Sequence, residues 1–172
     1  MNPEVSIRQV TIEEAVGFAK FGAALFKETF AESNSAEDMK LYLEESFAIE
    51  KIQQELADLN TYCFYATKNS MPVGCMKLIL TDASFTGIKS AELSRLYVSK
   101  LYHNQKVGAG LMQFAIDFSR KNQAEKLWLG VWEHNQKAIN FYLDWGFVKT
   151  GEMDFKLGND KQCDWLMEKT LT

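Results

Sequence analysis

Histidine, proline and cysteine are scarce in this chain of 172 residues, which has two, two and three of them respectively. The histidines, His103 and His134, are too few and too distant from other potential ligands to indicate a metal site, so we expect none. The cysteines are odd in number, widely separated and without metal-ligand spacing. We therefore expect reduced thiols, which indicates a reducing compartment and a cytoplasmic protein.

Long apolar runs, a signal peptide and an excess of positive charge are also missing. No stretch of about 18 apolar residues could span a membrane, so we expect no membrane partner. The formal net charge of −4 argues against nucleic acid, whose phosphates attract a basic face, and suits a cationic substrate. Neither Pro3 nor Pro72 marks a domain boundary, so we expect one domain over 1–172. Sequence alone leaves the oligomeric state open, a homodimer included.

Hydrophobic periodicity and helix caps divide the chain into helices and strands. The predicted strands are 5–10, 61–67, 73–81, 91–99, 126–132, 147–155 and 162–168. Helices are predicted after the capping box Thr11-x-x-Glu14, after the cap formed by Ser35 and Asp38, and over 49–59, 108–121 and 135–146, with a polar loop at 82–90. This order predicts an α/β (α+β) domain around a mixed, mostly antiparallel sheet of about seven strands.

Two of these strands carry expectations about side-chain direction. Strand 126–132 is a nearly continuous apolar run, which is typical of a strand buried on both faces. In strand 91–99, simple alternation places Glu92, Ser94 and Leu96 on one face. Leu93, Arg95 and Tyr97 are then expected on the opposite face.

A polar turn with two glycines joins strand 91–99 to the next helix, on the pattern Gln105-x-x-Gly108-x-Gly110. The first backbone N–H groups of a helix have no partner inside it, and together with the helix dipole they bind anions, phosphates above all. Gly108 and Gly110 lack side chains, so a pyrophosphate could approach the backbone closely. The glycine spacing alone is as typical of an ordinary strand-to-helix turn as it is of a phosphate-binding turn.

A second candidate face lies on the helix that begins at Asn135. Asn135, Ala138 and Tyr142 are spaced i, i+3 and i+7, so they share one side of the helix over two turns. A purely structural helix would more naturally carry a bulky aliphatic residue in place of Ala138. Taken alone, Tyr142 is more simply explained as a packing aromatic whose hydroxyl finds a partner in the core.

Taken together, these motifs resemble the GNAT superfamily of N-acetyltransferases. The resemblance rests on Arg95-Leu96-Tyr97-Val98, Gln105-x-x-Gly108-x-Gly110 and Asn135-x-x-Ala138-x-x-Phe141-Tyr142-x-x-x-Gly146-Phe147, and on the order of elements from the first strand to the last. It implies a three-layer fold with helices on both faces of the sheet. It also implies acetyl-CoA as acetyl donor and direct transfer to a small-molecule amine without a covalent enzyme intermediate.

The resemblance implies a cofactor site between strands 91–99 and 126–132, which open in a V. The pantetheine arm would hydrogen-bond to the main chain of Leu96 and Val98 like an added strand, and an N–H near Leu96 or Tyr97 would polarise the thioester carbonyl. Asn135 and the small Ala138 would contact the same arm. The pyrophosphate would lie on the backbone amides of Gln105, Lys106, Val107, Gly108, Ala109 and Gly110. Lys106 departs from the family pattern, which often has glycine there.

Two residues match catalytic roles in the family. An alkylammonium, with a pKa of about 10, must lose a proton before its nitrogen can attack a thioester. Glu92, on the cofactor strand, matches the general base of the family, which would act through water. The simpler interpretation is that Glu92 is a surface charge at the end of a strand. Tyr142 matches the general acid that protonates the departing CoA thiolate.

A narrower likeness is to the Pai-type spermidine/spermine N-acetyltransferases of Gram-positive bacteria. It rests on Glu28-Thr29-Phe30, Asn34-Ser35, Asp38-Met39, Tyr42-Leu43, Phe47 and the run 128–133. It implies a polyamine acceptor, for which Glu28, Glu32 and Asp38, with Glu44, could supply spaced carboxylates. Solvated helix faces and caps are the plainer explanation of these residues. The alternatives are another acceptor (a protein N-terminus, an amino acid or an aminoglycoside) and a non-catalytic acyl-CoA-binding regulatory protein on the same fold.

Overall fold

A computed structural model of the chain describes residues 5–171. The strands within them are β1 (Ser6–Gln9), β2 (Thr61–Lys68), β3 (Met71–Thr81), β4 (Ser90–Val98), β5 (Lys126–Trp132), β6 (Val148–Leu157) and β7 (Asp160–Thr170). The helices are α1 (Ala15–Phe30), α2 (Ala36–Ser46), α3 (Ile49–Ala57), the single turn α4 (Ala83–Thr86), α5 (Val107–Lys121) and α6 (Gln136–Asp144). None of the helices in this part of the chain is long and apolar enough to cross a membrane.

The seven strands form one sheet in the order β1-β2-β3-β4-β5-β7-β6. Neighbouring strands are antiparallel except β4 and β5, which run parallel. Helices α1, α2 and α3 cover one face of the sheet, and α5 and α6 cover the other. The predicted order of elements, the mixed sheet and the three layers are therefore confirmed.

Each face of the sheet buries its own hydrophobic core. On the α5 side, Leu111 and Met112 are fully buried against strand residues such as Leu127. On the other side, Phe18 of α1 and Ile52 of α3 are buried just as completely. Since each such side chain contributes about 1.5–3 kcal/mol of hydrophobic stabilisation, the two cores hold the sheet as a firm platform for the site at its centre.

The helix starts and stops follow local signals that the sequence carries. The capping bonds run from Thr11 N–H to Glu14 Oε2 (3.0 Å), from Asp38 N–H to Ser35 Oγ (3.0 Å) and from Ala138 N–H to Asn135 Oδ1 (3.2 Å). Gly146 follows α6 at a φ of 83°, the left-handed conformation that favours glycine. These predicted caps are confirmed, and α5 begins one residue before the predicted Gly108.

The predicted polar loop at 82–90 is partly helical. Asp82 Oδ1 accepts a hydrogen bond from the Ser84 N–H at 3.1 Å and caps α4. Gly87, at a φ of 80°, ends this single turn, and β4 begins at Ser90. The expectation of an irregular loop missed the cap because a one-turn helix has no apolar periodicity to reveal it.

Strand β5 is buried on one face only, so the prediction of burial on both faces is wrong. Leu127, Leu129 and Val131 are buried in the core under α5. The alternate residues Trp128 and Trp132 are half-buried, and Gly130 between them is exposed. The run looks continuously apolar because the second face of β5 also carries apolar side chains, the two tryptophans. These tryptophans lie beside an opening and are not covered by a second core.

A β-bulge in β4 shifts its register against β3. Lys77 pairs with Arg95, whereas the next residue, Leu78, pairs with Leu93. Ser94 is therefore the extra residue, and it locally reverses the alternation of side chains.

The bulge overturns the predicted faces of this strand. Leu93 and Leu96 both pack toward α5, although they are three positions apart and strict alternation would place them on opposite faces. Arg95 and Tyr97 turn to the α1–α3 side, where the Arg95 guanidinium stacks on Phe47 at 4.6 Å from the ring centroid. Glu92, next to Leu93, points to that same side. The prediction that Glu92 and Leu96 share a face is therefore wrong.

A buried charge cluster fixes α3 to the centre of the sheet on this side. The Glu55 carboxylate accepts from Lys77 Nζ at 2.8 Å and from Arg95 Nη1 at 2.9 Å. Arg95 Nη2 also donates to the Ser46 carbonyl at 2.9 Å, which ties the end of α2 to the same point. Because these groups satisfy one another, the cluster holds fixed positive charge beside Glu92 without leaving a buried charge unpaired.

Candidate active site

The parallel pair at the centre of the sheet separates along its length. β4 and β5 pair at only three positions, Ser90 with Lys126, Ala91 with Leu127 and Glu92 with Trp128. Beyond Glu92, the edge of β4 that faces β5 has no ladder partner in the described part of the chain. A cavity of about 920 Å³, which we call the cleft, occupies the gap. The V-shaped opening implied by the resemblance is therefore present.

Most of the predicted catalytic and cofactor residues line this one cleft. They are Glu92, Leu96, Tyr97, Val98, Lys106, Val107, Gly108, Ala109, Asn135, Ala138 and Tyr142. Gln105 and Gly110 are not among its lining residues. Strand β4, the start of α5 and the start of α6, which are separated in sequence, thus converge on a single opening.

Free backbone donors mark the start of α5. The N–H groups of residues 106–109 have no hydrogen-bond partner within residues 5–171. The N–H of Gln105 donates to the Tyr102 carbonyl at 3.4 Å, and that of Gly110 donates to the Lys106 carbonyl at 2.9 Å. The amides that are free to bind an anion are therefore the four between them, a smaller set than the six that the resemblance implies.

Lys106, the departure from the family pattern, adopts a backbone conformation that favours glycine. Its φ is 64° and its ψ is 10°, and Asn104 two residues earlier has a φ of 61°. A left-handed conformation costs a lysine on the order of 1 kcal/mol relative to glycine. The turn therefore keeps the shape that a glycine would give it, and the lysine side chain adds a positive charge at the cleft.

Further basic groups lie at the same end of the cleft. Lys137 Nζ, which can only donate, lies 3.0 Å from His103 Nδ1, and His103 Nε2 lies 3.0 Å from the Val98 carbonyl oxygen. In this arrangement Nδ1 accepts from Lys137 and Nε2 donates to the Val98 carbonyl, and Lys106 and Lys137 place two ammonium groups at this end of the cleft. Free amides and two ammonium groups together suit a phosphate-bearing ligand.

Helix α6 presents Tyr142 from the opposite wall. Its ring packs against Phe141 and Phe147, with centroid separations of 5.5 and 5.8 Å. Burial raises the pKa of the Tyr142 hydroxyl to about 12. The hydroxyl therefore stays protonated near neutral pH and can donate to a group in the cleft. Asn135 uses its side-chain oxygen as the helix cap, which leaves its amide NH₂ as the donor available to a ligand.

Glu92 lines the cleft from β4 and is half-buried. Burial raises the pKa of its carboxyl group, while the nearby Lys77 ammonium and a hydrogen bond with Ser94 act in the opposite direction. A carboxylate in this setting is a stronger base than an exposed one. Glu92 precedes the bulge at Ser94 and lies on the face of β4 opposite to Leu93, which is buried in the core under α5.

The carboxylates predicted to bind the acceptor are not brought together in the cleft. Glu28 Oε2 accepts from the Lys100 N–H at 3.1 Å, and Asp38 Oδ1 accepts from the Asn159 N–H at 2.7 Å. Glu32 is exposed, and none of the three lines the cleft. Glu28 and Asp38 act as ties between elements, so their positions do not support the substrate-binding assignment. No group of three His, Cys, Asp or Glu side chains within residues 5–171 is arranged to hold a metal ion.

Sequence reasoning missed an acidic residue that does line the cleft. Asp164 of β7 is only 8% exposed, and its Oδ1 has no hydrogen-bond partner within the described residues. Burial, with a smaller contribution from Glu133, raises the pKa of this carboxyl to about 6. The available signal was a lone acidic residue between Cys163 and Trp165, within the otherwise apolar stretch 163–167.

Comparisons with known proteins agree with this geometry. The sequence model described as "Acetyltransferase (GNAT) family" matches residues 23–147. The chain is 33% identical over 169 residues to "Uncharacterized N-acetyltransferase in pepI 3'region" of Lactobacillus delbrueckii subsp. lactis, covering 97% of this chain and 98% of that protein. It is 25% identical over 169 residues to the spermidine N(1)-acetyltransferase of Thermoplasma acidophilum, covering 96% of each.

Solved structures share the fold. The PaiA N-acetyltransferase of Thermoplasma acidophilum, crystallised in complex with coenzyme A, superposes with a TM-score of 0.81 at 24% identity, covering 97% of this chain and 99% of that one. An N-acetyltransferase from Staphylococcus aureus Mu50 has a TM-score of 0.77 at 16% identity, covering 98% of each chain. Similarity at these identities establishes the common architecture.

The burial of Asp164 predicts a gain in stability on replacement. The folded protein binds the Asp164 proton more tightly than the unfolded chain does, so the cost of the charged form is absent below pH ~4 and complete above pH ~6. We expect Asp164→Asn to raise the free energy of unfolding by about 2 kcal/mol at pH 7.5 and by less at pH 5. Urea denaturation at both pH values measures this.

Asp154→Asn is the matched control, because that carboxylate is 76% exposed beside Lys161 and its removal should change stability by less than about 0.5 kcal/mol. A destabilised Asp164→Asn variant would contradict the assignment of Asp164 as an unpaired charge.

Proposed function

The chain belongs to the GNAT family of acetyltransferases, and from that premise we propose that it acetylates a polyamine such as spermidine or spermine. It is an acyltransferase, and its acetyl donor is acetyl-CoA. The observation that carries the proposal is that Glu92 and Tyr142 line one cleft together with the free amides of residues 106–109. A polyamine acceptor is supported by the name of the Thermoplasma relative and by carboxylates that line the cleft without a lysine or arginine partner among the described residues, namely Glu45, Glu92 and Asp164.

The residues present fit acetyl-CoA. The amides of residues 106–109, with Lys106 and Lys137 nearby, would hold the pyrophosphate. A Cβ added at Gly110 would meet nothing within 4 Å, so the surface beside these amides is open. The unpaired edge of β4 over Leu96–Val98 would bind the pantetheine arm as an added strand, with Asn135 and Ala138 on the other side.

Bound acetyl-CoA supplies an acetyl thioester, and the chain supplies proton handling and orientation. A backbone N–H of β4 near Leu96 or Tyr97 polarises the thioester carbonyl. Glu92 accepts the proton of the incoming ammonium through water, because burial has made its carboxylate more basic. Tyr142 donates to the departing sulfur. Since the pKa of Tyr142 is about 12 and that of a thiol is about 8.5, complete proton transfer to the sulfur is unfavourable, so Tyr142 acts mainly as a hydrogen-bond donor that stabilises the charge building on the sulfur, and CoA leaves as the thiolate.

Removal of the Tyr142 hydroxyl tests the acid. We expect Tyr142→Phe to lower kcat for spermidine acetylation about 100-fold while KM for acetyl-CoA changes by less than about twofold. Release of free CoA thiol measures both. Tyr62→Phe is the matched control. Tyr62 lies on β2, where its ring packs against Phe118 of α5, and it does not line the cleft.

The same assay, run with spermidine, a peptide N-terminus, an amino acid and an aminoglycoside, separates the acceptors. A wild type that favours any of the last three over spermidine contradicts the polyamine proposal. A wild type that binds acetyl-CoA and acetylates none of the four indicates an acyl-CoA-binding protein without turnover. Full activity of Tyr142→Phe near neutral pH would remove Tyr142 from the mechanism.

Replacement of Glu92 tests the base through its pH dependence. We expect Glu92→Gln to lower kcat/KM for spermidine about 100-fold at pH 7. The deficit should shrink as the pH approaches the amine pKa of about 10, because free amine is then present without a base. The wild-type rate should fall as the pH drops through the raised pKa of Glu92. Glu125→Gln, at an exposed position, is the control. If the loss of kcat/KM in Glu92→Gln were the same at every pH, Glu92 would have a structural role and would not be the base.

A further inference from the structure

The Asp164 side chain lies next to Gly130, and both residues line the cleft. In the sheet, Asp164 pairs with Trp132 of β5 on one side and with Met153 of β6 on the other. A Cβ built at Gly130 would lie 3.3 Å from Asp164 Oδ2 and 3.2 Å from Met153 Sδ. Gly130 is nevertheless exposed to the cleft, in a strand whose neighbouring positions carry large apolar side chains. A glycine inside a strand commonly marks a place where a ligand approaches the backbone.

The Asp164 carboxylate lacks the partners that a buried charge requires. Its Oδ1 is buried without a donor, and no lysine, arginine or histidine nitrogen within residues 5–171 lies within 4 Å of it. The buried carboxylate on the other side of the cleft, Glu55, is by contrast fully engaged with Lys77 and Arg95. An orphaned buried acceptor that faces an open cleft indicates that a ligand supplies the missing donor.

The surroundings of Asp164 suit an alkylammonium group. Tyr42 and Phe155 line this part of the cleft with ring centroids 5.6 Å apart, and Trp128 and Trp132 flank Gly130. Burial raises the pKa of the Tyr42 hydroxyl, and the Asp164 charge adds to that effect. Aromatic faces attract cations and pack against methylene groups, whereas an anion would be repelled by the carboxylate.

We propose that Asp164, Gly130 and the adjacent aromatic rings form a subsite that binds a second ammonium group of the acceptor, remote from the nitrogen that is acetylated. This subsite rests on the proposed function. The nitrogen that attacks must be neutral, so a carboxylate that holds a charged nitrogen serves the group that keeps its proton. Asp164 thereby selects diamines and polyamines over monoamines.

The positions of these residues in the fold support this division of roles. The transfer residues Glu92 and Tyr142 lie on β4 and α6, whereas Asp164 lies on β7, beyond β5. The neighbouring charge that adds to the raised pKa of Asp164 is that of Glu133. A flexible chain of methylene groups could span the cleft between the two points.

Matched acceptors test the subsite. Acetylation of diaminobutane and of butylamine is compared at a pH near 8, where a carboxyl with a pKa of about 6 is ionised. We expect Asp164→Asn to raise KM for diaminobutane about tenfold or more, while its kinetics with butylamine and its KM for acetyl-CoA stay unchanged. Asp154→Asn, at an exposed position of the adjacent strand, should match wild type with both amines. Equal losses with both amines, or no loss with either, would overturn the proposal.

Calorimetric titration of spermidine into the CoA-bound protein separates this inference from the proposed function. Binding to wild type that is weakened about tenfold or more by Asp164→Asn supports the subsite even if no amine is acetylated. Equal binding to both proteins, or no binding to wild type, overturns it even if polyamine turnover is found. Gly130→Ala gives a second variant. Its methyl group would crowd Asp164 and should weaken spermidine binding while CoA affinity is kept.

Discussion

The structure depends on one interruption of backbone hydrogen bonding, the parting of β4 from β5 after three paired positions. A continued parallel ladder would satisfy the facing edges of both strands and close the centre of the sheet. The separation instead leaves one edge of β4 able to pair with an extended ligand. That edge and the free amides at the start of α5 line the same cleft. The remaining features of the cleft, its basic end and its acidic residues, are arranged around this opening.

Two kinds of local strain accompany the opening, and each is tolerated because the surrounding packing is strong. Lys106 holds a left-handed conformation, and Asp164 remains buried without a partner. Neither improves the free energy of folding, yet both lie where a ligand would contact them. The two cores on either side of the sheet supply the stability that allows these costs. Features that weaken the fold thus coincide with those to which we assign binding.

Local signals in the sequence were sufficient for much of the fold and for many of the residues of β4, α5 and α6 that line the cleft. The caps at Ser35 and Asn135 and the glycine at 146 act within a few residues, so the helices could be predicted from them. The acceptor half depends on contacts distant in sequence. The Asp38 carboxylate accepts a hydrogen bond from the Asn159 N–H, 121 residues away in sequence. The pattern of residues on the helix surface does not reveal such a contact. The bulge at Ser94 is visible only in the pairing of β4 with β3. Alternation within β4 alone therefore placed Glu92 and Leu96 wrongly on the same face.

The most direct test of the opening is a crystal structure of the protein with coenzyme A. We expect pyrophosphate oxygens about 2.7–3.2 Å from the backbone nitrogens of Val107, Gly108 and Ala109, the usual range for such hydrogen bonds. The pantetheine amides should pair with the main chain of β4 over Leu96–Val98, with the sulfur beside the Tyr142 hydroxyl. A cofactor bound outside the gap between β4 and β5, or a closed β4–β5 ladder beneath it, would contradict the account.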